Sequence, residues 1–446
     1  MPDLIVKAAQ IGAKRRFSRA PSPAEGDRSV IRRRALAQAF LGMVIVATSR
    51  FAIRYYDGHD FIYNVWTPIH ALVAGLNPYD PSNSAYFHQY PVPIVAGLYT
   101  PTALLLHAPL ALLSPPRTAD VMAIVNVLLM WLGVLLLIPP RTARSCFAAG
   151  TAGTLLVLSS PAAHTIELGQ LSAWAFAGLA LVAASLRADP QATWLPSIGT
   201  ALVALKPQSG IPMLLALAFL GSQKVLWRAA AILIVTSVPG IVLFVTAAGS
   251  PSTVIRTIHD NLAVVSRLPP TDLAAPYNLR IDGLGVVSHL HGPALTGMVW
   301  PFVILVFATI LLALIRHASG RSTADPYVML LAALYIVVSL YHLTYDQLLL
   351  DVGPLAALSV VAESTRPNQS SRVLAFGGLA LMAVELVLRP RFRNGFVDLG
   401  IPALLVHTVW VVTPTLIAGT LIIWITVLGY HKGKRLRADV GRRQLA

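Results

Sequence analysis

Charge is scarce in this chain. Asp, Glu, Lys and Arg together make up 12% of 446 residues, against 56% apolar positions and a mean hydropathy of +0.67. So few charges cannot clothe a water-soluble surface of this length, which excludes a soluble globular enzyme. Cysteine is nearly absent as well: Cys146 stands alone, so neither an internal disulfide nor a cysteine-based metal or redox centre can form. No G-x-G-x-x-G or P-loop fingerprint occurs, no internal repeat is visible, and no cluster of carboxylates has metal-ligand spacing, so neither a metal nor another cofactor is expected. Acidic residues are the rarer sign, 19 against 34 Lys and Arg, for a net charge of +15. In a chain this apolar, that excess reads as membrane topology and attraction to anionic lipid, and no nucleic-acid partner is expected.

What the chain does have is a succession of apolar runs near the transmembrane length of about 20 residues. They fall at 35–54, 120–138, 146–160, 171–186, 194–205, 209–221, 228–248, 297–316, 326–341, 346–362, 373–388 and 403–429. Two further runs are interrupted. Residues 61–75 contain Asn64, Pro68 and His70, and residues 92–113 follow Pro91 and contain Pro93, Pro101 and Pro109. Both read as helices lying at or dipping into the outer interface. The pattern predicts an all-α polytopic membrane protein of about 12 transmembrane helices, with two interfacial helices in the first extracytoplasmic loop. Residues 1–34 are expected to be a disordered basic cytoplasmic tail, 35–429 a single transmembrane domain with long outer loops at 55–119 and 249–296, and 430–446 a second basic cytoplasmic tail. Both termini then lie in the cytoplasm of a cell membrane, the multi-pass chain keeping 24 of its 34 Lys and Arg on that side. Arg389, Arg391 and Arg393 run against the trend on the outer face, as a solvated turn or a contact for lipid phosphate.

Sorted by side, the unusual polar residues gather at the outer ends of the runs. They are Asp57, His59 and Asp60; Asn77 to Asp80; His88 and Tyr90; Glu167, Gly169 and Gln170; Lys206, Pro207 and Gln208; and His342, Tyr345 and Asp346. Ionisable groups at an apolar boundary are expensive and mark a pathway or a site. Plainer roles compete. Asn77-Pro78-Tyr79-Asp80 is a turn in its own right, Gln170 could cap a helix, and Lys206 could snorkel outward. His342 and Asp346 are spaced to pair across one helical turn, and Tyr345 could be an interfacial anchor. Of the two acids after the first run, Asp60 is the better candidate base. Phe61 and Tyr63 would hold it against the membrane, where partial desolvation makes a carboxylate a stronger base. Asp57, beside Gly58, looks looser.

These motifs, taken in order, resemble a known family. An acidic pair after the first helix, G-x-NPYD from Gly75 to Asp80, YPVP from Tyr90 to Pro93, Gly169-Gln170, LKPQ from Leu205 to Gln208 and Tyr345-Asp346 look like glycosyltransferase family 87 of the GT-C superfamily. That family includes the polyprenol-phosphate-mannose-dependent mannosyltransferases that elaborate phosphatidylinositol mannosides. The likeness covers residues 35 to 390, departing where YPVP replaces the commoner YPP and where one late histidine stands for a pair. It implies a GT-C fold and an acidic base in the first outer loop.

The expected activity is an inverting, metal-independent transfer of a sugar, mannose first, from a polyprenyl-phosphate donor to a lipid-linked or cell-envelope glycan, at a site facing the extracytoplasmic side. Asp60 would be the base, with Asp57 as the second catalytic candidate. Lys206 and His342 would stabilise the departing phosphate, Asp346 would orient His342, and Gln170, Tyr345, Tyr90, His88 and Gln208 would line the donor and acceptor pocket. An arabinofuranosyl- or glucosyl-transferase of the same superfamily is the alternative enzyme. A lipid-linked sugar flippase is the alternative from another class, and it would want polar residues spread through helix interiors on alternating sides.

Overall fold

The computed structural model of the chain describes residues 25–53, 58–80, 99–189, 192–220, 222–265, 267, 272, 279–291, 299–319, 322, 325–340, 342–387 and 397–444. Among these the fold is all-α, apart from one isolated antiparallel bridge between Arg280 and Leu343.

Helix α1 (Glu25–Ile53) precedes a long connection that folds, where described, as His59–Phe61, a π turn over Ile62–Trp66, α2 (Thr67–Val73), α3 (Pro101–His107) and a 3-10 turn over Ala108–Leu112. Then come α4 (Pro115–Leu137), α5 (Ala143–Val157), α6 (Ser160–Leu168), α7 (Ser172–Ala188), α8 (Trp194–Val203), α9 (Pro207–Phe219) and α10 (Gln223–Ala248). The connection over 249–298 holds α11 (Pro251–Val265) and α12 (Gly283–His291), neither foreseen from hydropathy. The chain closes with α13 (Val299–Ser319), α14 (Pro326–Ser339), a 3-10 stretch over Thr344–Asp351, α15 (Val352–Glu363), α16 (Gln369–Val387) and α17 (Ala403–Gln444).

Within the described residues each predicted apolar run falls on helix, but the helices differ in reach. Six are long and apolar enough to cross a membrane, and α5 with α6, bent by 61°, make a seventh if taken as one span. The other predicted crossings fall on apolar helices of 10–17 residues: Ser172–Ala188, Trp194–Val203, Pro207–Phe219, Val303–Leu314 and Pro326–Ser339. Proline and glycine set several of these breaks. Pro207 opens α9 directly after Lys206, and Gly169 ends α6 in the left-handed conformation. Helix α1 starts at Glu25, and α17 runs on through the basic segment to Gln444. The stretch 81–98, with the first part of the second interfacial run, lies outside the described residues.

Apolar side chains face both ways. Leu36, Val46, Trp227, Val235, Phe307 and Ile423 point outward from mid-helix, as expected where lipid replaces water. Inside, small residues let helices approach. A Cβ on Gly178 would lie 2.5 Å from the Gly199 carbonyl oxygen, and one on Gly199 would lie 2.5 Å from that of Gly178, so α7 and α8 touch backbone to backbone.

Candidate active site

The site is built around the break between α6 and α7. Gly169 takes φ of +69°, and the last turn of α6 closes with Gly169 N–H donating to the Ile166 carbonyl and Gln170 N–H to that of Thr165, at 3.2 and 2.9 Å. Asn126 Nδ2, from α4, donates to the Thr165 and Gln170 carbonyls at 3.2 and 3.1 Å and clamps the break from the other side. A Cβ on Gly169 would sit 2.7 Å from Phe61 Cβ, so the glycine also admits the loop that carries Phe61. Gly58 N–H donates to the Glu167 carbonyl at 2.6 Å and fixes that loop in place. Asp60 is thereby delivered to Gln170, whose Nε2 donates to Asp60 Oδ2.

Gln170 Oε1 accepts from the Tyr99 hydroxyl at 2.9 Å, and the Tyr99 carbonyl accepts from the Tyr79 hydroxyl at 3.1 Å. Tyr79 stacks on Phe244 of α10 at 5.0 Å, and burial pushes its phenol well above the ordinary value, leaving it a neutral donor. The NPYD segment is a turn, with Tyr79 N–H donating to Asn77 Oδ1 at 3.1 Å. It also ties the site to α11, because Asn77 Nδ2 donates to Thr257 Oγ1 at 3.1 Å.

A second polar group forms on the other side of the same break. Lys206 lies between α8 and α9, and its Nζ donates to Asp346 Oδ1 at 2.5 Å and to Ser172 Oγ at 3.1 Å while resting 4.6 Å from the centre of the Tyr345 ring. Ser172 Oγ donates to the same Asp346 oxygen at 2.6 Å. His342 Nδ1 donates to Asp346 Oδ2 at 2.9 Å. Lys206 and Asp346 are each only 1% exposed, a burial that a charged pair tolerates only when its hydrogen bonds are met. His342 is fully buried, and its Nε2 has no hydrogen-bond partner among the described residues.

The backbone that carries His342 is held in turn. Ile281 N–H donates to the His342 carbonyl at 3.0 Å, and His342 N–H reaches Asp282 Oδ2 at 3.5 Å. Arg280 grips the Asp282 carboxylate through Nε and Nη2 at 2.8 and 2.9 Å. The two polar groups share one short piece of chain. Gln170 bonds Asp60 and Ser172 bonds Lys206 and Asp346, and residues two apart lie within about 7 Å.

The structure thus brings together Asp60, Gln170, Lys206, His342, Tyr345 and Asp346. Gln208 is half-buried in the first turn of α9 and joins neither group. Asp57, His88, Tyr90, Arg389, Arg391 and Arg393 lie outside the described residues. Ser172, Tyr99, Asn126, Arg280 and Asp282 were not singled out from sequence. For Ser172 the available signal was its place just after Gln170 at a helix start, and for Arg280 and Asp282 it was opposite charges two residues apart in a long outer loop. Among the described residues no group of three or more His, Cys, Asp or Glu side chains is placed to hold a metal ion.

Compared with known proteins, the chain matches one family model, glycosyltransferase family 87, over residues 98–344, more than half its length. The matched region contains Gln170, Lys206 and His342. No curated protein and no solved structure matches it.

Proposed function

The chain belongs to glycosyltransferase family 87 and is a membrane-embedded glycosyltransferase, and on that premise we propose that it moves a sugar, mannose first, from a polyprenyl-phosphate donor to a hydroxyl of a lipid-linked or cell-envelope glycan. The observation that carries the proposal is the segment Gln170 to Ser172, which bonds a carboxylate on one side and a buried lysine–aspartate–histidine group on the other.

In the proposed reaction the acceptor oxygen attacks the anomeric carbon from the face opposite the phosphate, and configuration inverts. The bond from that carbon to the phosphate oxygen breaks, polyprenyl phosphate leaves with the electron pair, and the acceptor's proton passes to Asp60. Gln170 orients that carboxylate. His342 is assigned to the phosphate as the doubly protonated imidazolium, Nδ1–H on Asp346 and Nε2–H toward a phosphate oxygen, because its Nε2 is the buried atom of the second group still without a partner among the described residues. Asp346 accepts from Nδ1 and holds the ring in one orientation. Lys206 is committed to Asp346 and Ser172, so its proposed task is to position Asp346, and through it His342, with no direct hold on the phosphate. The reading takes the site to face the extracytoplasmic side, which the positive-inside bias of the sequence supports.

The test is a transfer assay with purified protein and synthetic polyprenyl-phosphate mannose, arabinofuranose and glucose. One of the three should serve as donor, and Asp60→Asn should lower the rate by about 10²–10⁴-fold. Retention of most activity by that variant would remove Asp60 as the base, and transfer from none of the three would overturn the donor class.

A further inference from the structure

Two buried polar atoms on rings packed at Phe61, the residue after Asp60, lack partners among the described residues, and their chemistry is complementary. Helix α3 ends on His107, a residue 2% exposed, whose ring meets Phe61 at 5.3 Å and Trp174 at 5.1 Å, both edge to face. Its Nδ1 lies 2.7 Å from the Ala103 carbonyl oxygen. A carbonyl only accepts, so Nδ1 carries the proton. Burial between aromatic rings favours the neutral imidazole, which leaves Nε2 a bare lone pair. That atom is buried and has no hydrogen-bond partner among the described residues. Trp174 Nε1 is in the opposite condition, a buried N–H with no acceptor, on an indole that is otherwise half-buried.

One unmet acceptor and one unmet donor on touching rings suit a single group that donates and accepts through one atom, which is a hydroxyl. Native proteins leave few buried polar atoms unsatisfied, and those they leave call for an explanation. Position supplies one. Phe61 follows Asp60 in the chain, and Trp174 lies in the first turn of α7, four residues beyond Gln170, the residue bonded to Asp60.

We propose that His107 and Trp174 form a recognition pocket for one sugar hydroxyl next to the base, the hydroxyl donating to His107 Nε2 and accepting from Trp174 Nε1–H. The proposal rests on the glycosyl-transfer reading above. The hydroxyl belongs to the donor sugar or to the acceptor sugar, and analogues lacking single hydroxyls on either one separate the two sources.

Its test has a binding arm and a transfer arm, both on the full chain in lipid nanodiscs. In the first, protein labelled with 5-fluorotryptophan is titrated with the methyl glycosides of mannose, glucose and arabinofuranose and their monodeoxy forms. The Trp174 fluorine signal is identified by its loss in Trp174→Phe. It should shift with one parent glycoside and fail to shift with one of that glycoside's deoxy forms. In the second arm, removing the recognised hydroxyl should lower wild-type kcat/KM by about tenfold or more, and Trp174→Phe, which keeps an aromatic ring and loses the N–H, should abolish that penalty. A signal unmoved by every glycoside, or a penalty unchanged in Trp174→Phe, would overturn the pocket and leave its two atoms to water. Should wild type transfer from no polyprenyl-phosphate donor, the proposed donor class falls while the binding arm still decides the pocket.

Discussion

Asp346 accepts from Lys206, Ser172 and His342 at 2.5, 2.6 and 2.9 Å, so three side chains from separate parts of the chain are referred to one carboxylate. Removing one partner of such a buried pair strands the other charge, at a cost of about 3–5 kcal/mol. Lys206→Met should therefore lower thermal stability in detergent by that order. Lys206→Met combined with Asp346→Leu should recover much of the stability, because the stranded charge is gone. It should not recover transfer, since His342 then has nothing to orient it. A fully active double variant would show that neither the lysine–aspartate pair nor its hold on His342 is needed for transfer. His342→Gln separates the roles further: it should largely spare stability, because Asp346 keeps Lys206 and Ser172 as partners, and depress kcat, read in the same transfer assay.

At the scale of elements, two glycines do work that no other residue can do in place. Gly169 needs a left-handed backbone and leaves no room for a Cβ against Phe61. Gly169→Ala should cost about 1–3 kcal/mol in unfolding measurements. It should also depress transfer more than its loss of stability accounts for, because a displaced Phe61 carries Asp60 with it. Gly178→Leu should act differently. It would push α7 from α8 at the Gly199 contact, which includes none of the polar groups, and reduce stability and transfer together. If Gly169→Ala unfolds the protein no more easily and transfers at the wild-type rate, the break between α6 and α7 does not set the position of the base.

For the whole molecule, topology decides which compartment the site faces. Cys146 is buried, so it makes a poor native reporter, and Cys146→Ser is the background to use. Glu167→Cys, at an exposed position beside the Gly58 contact, should react with an impermeant maleimide in intact cells, and Thr365→Cys, exposed after α15, only once the membrane is opened. The reverse pattern would turn the site toward the cytosol. Hydropathy located the helices because a lipid-facing segment has to be apolar along its length, and it located Gln170, Lys206, His342 and Asp346 because each is a polar residue at the edge of an apolar run. It missed Arg280 and Asp282, which sit in a polar loop where charges are unremarkable, and α11, whose apolar positions form a stripe instead of a block. His107 and Trp174 were missed for another reason: each alone looks like ordinary core, and only their contact exposes two unmet hydrogen bonds. The central claim is that Asp60 and His342 face one bound donor, and cross-linking tests it most directly. A polyprenyl-phosphate sugar bearing a diazirine beside the phosphate should label peptides containing residues 58–80, 165–175 or 342–350. Labelling confined to the far ends of the helices, at 137–145 or 363–369, would contradict it.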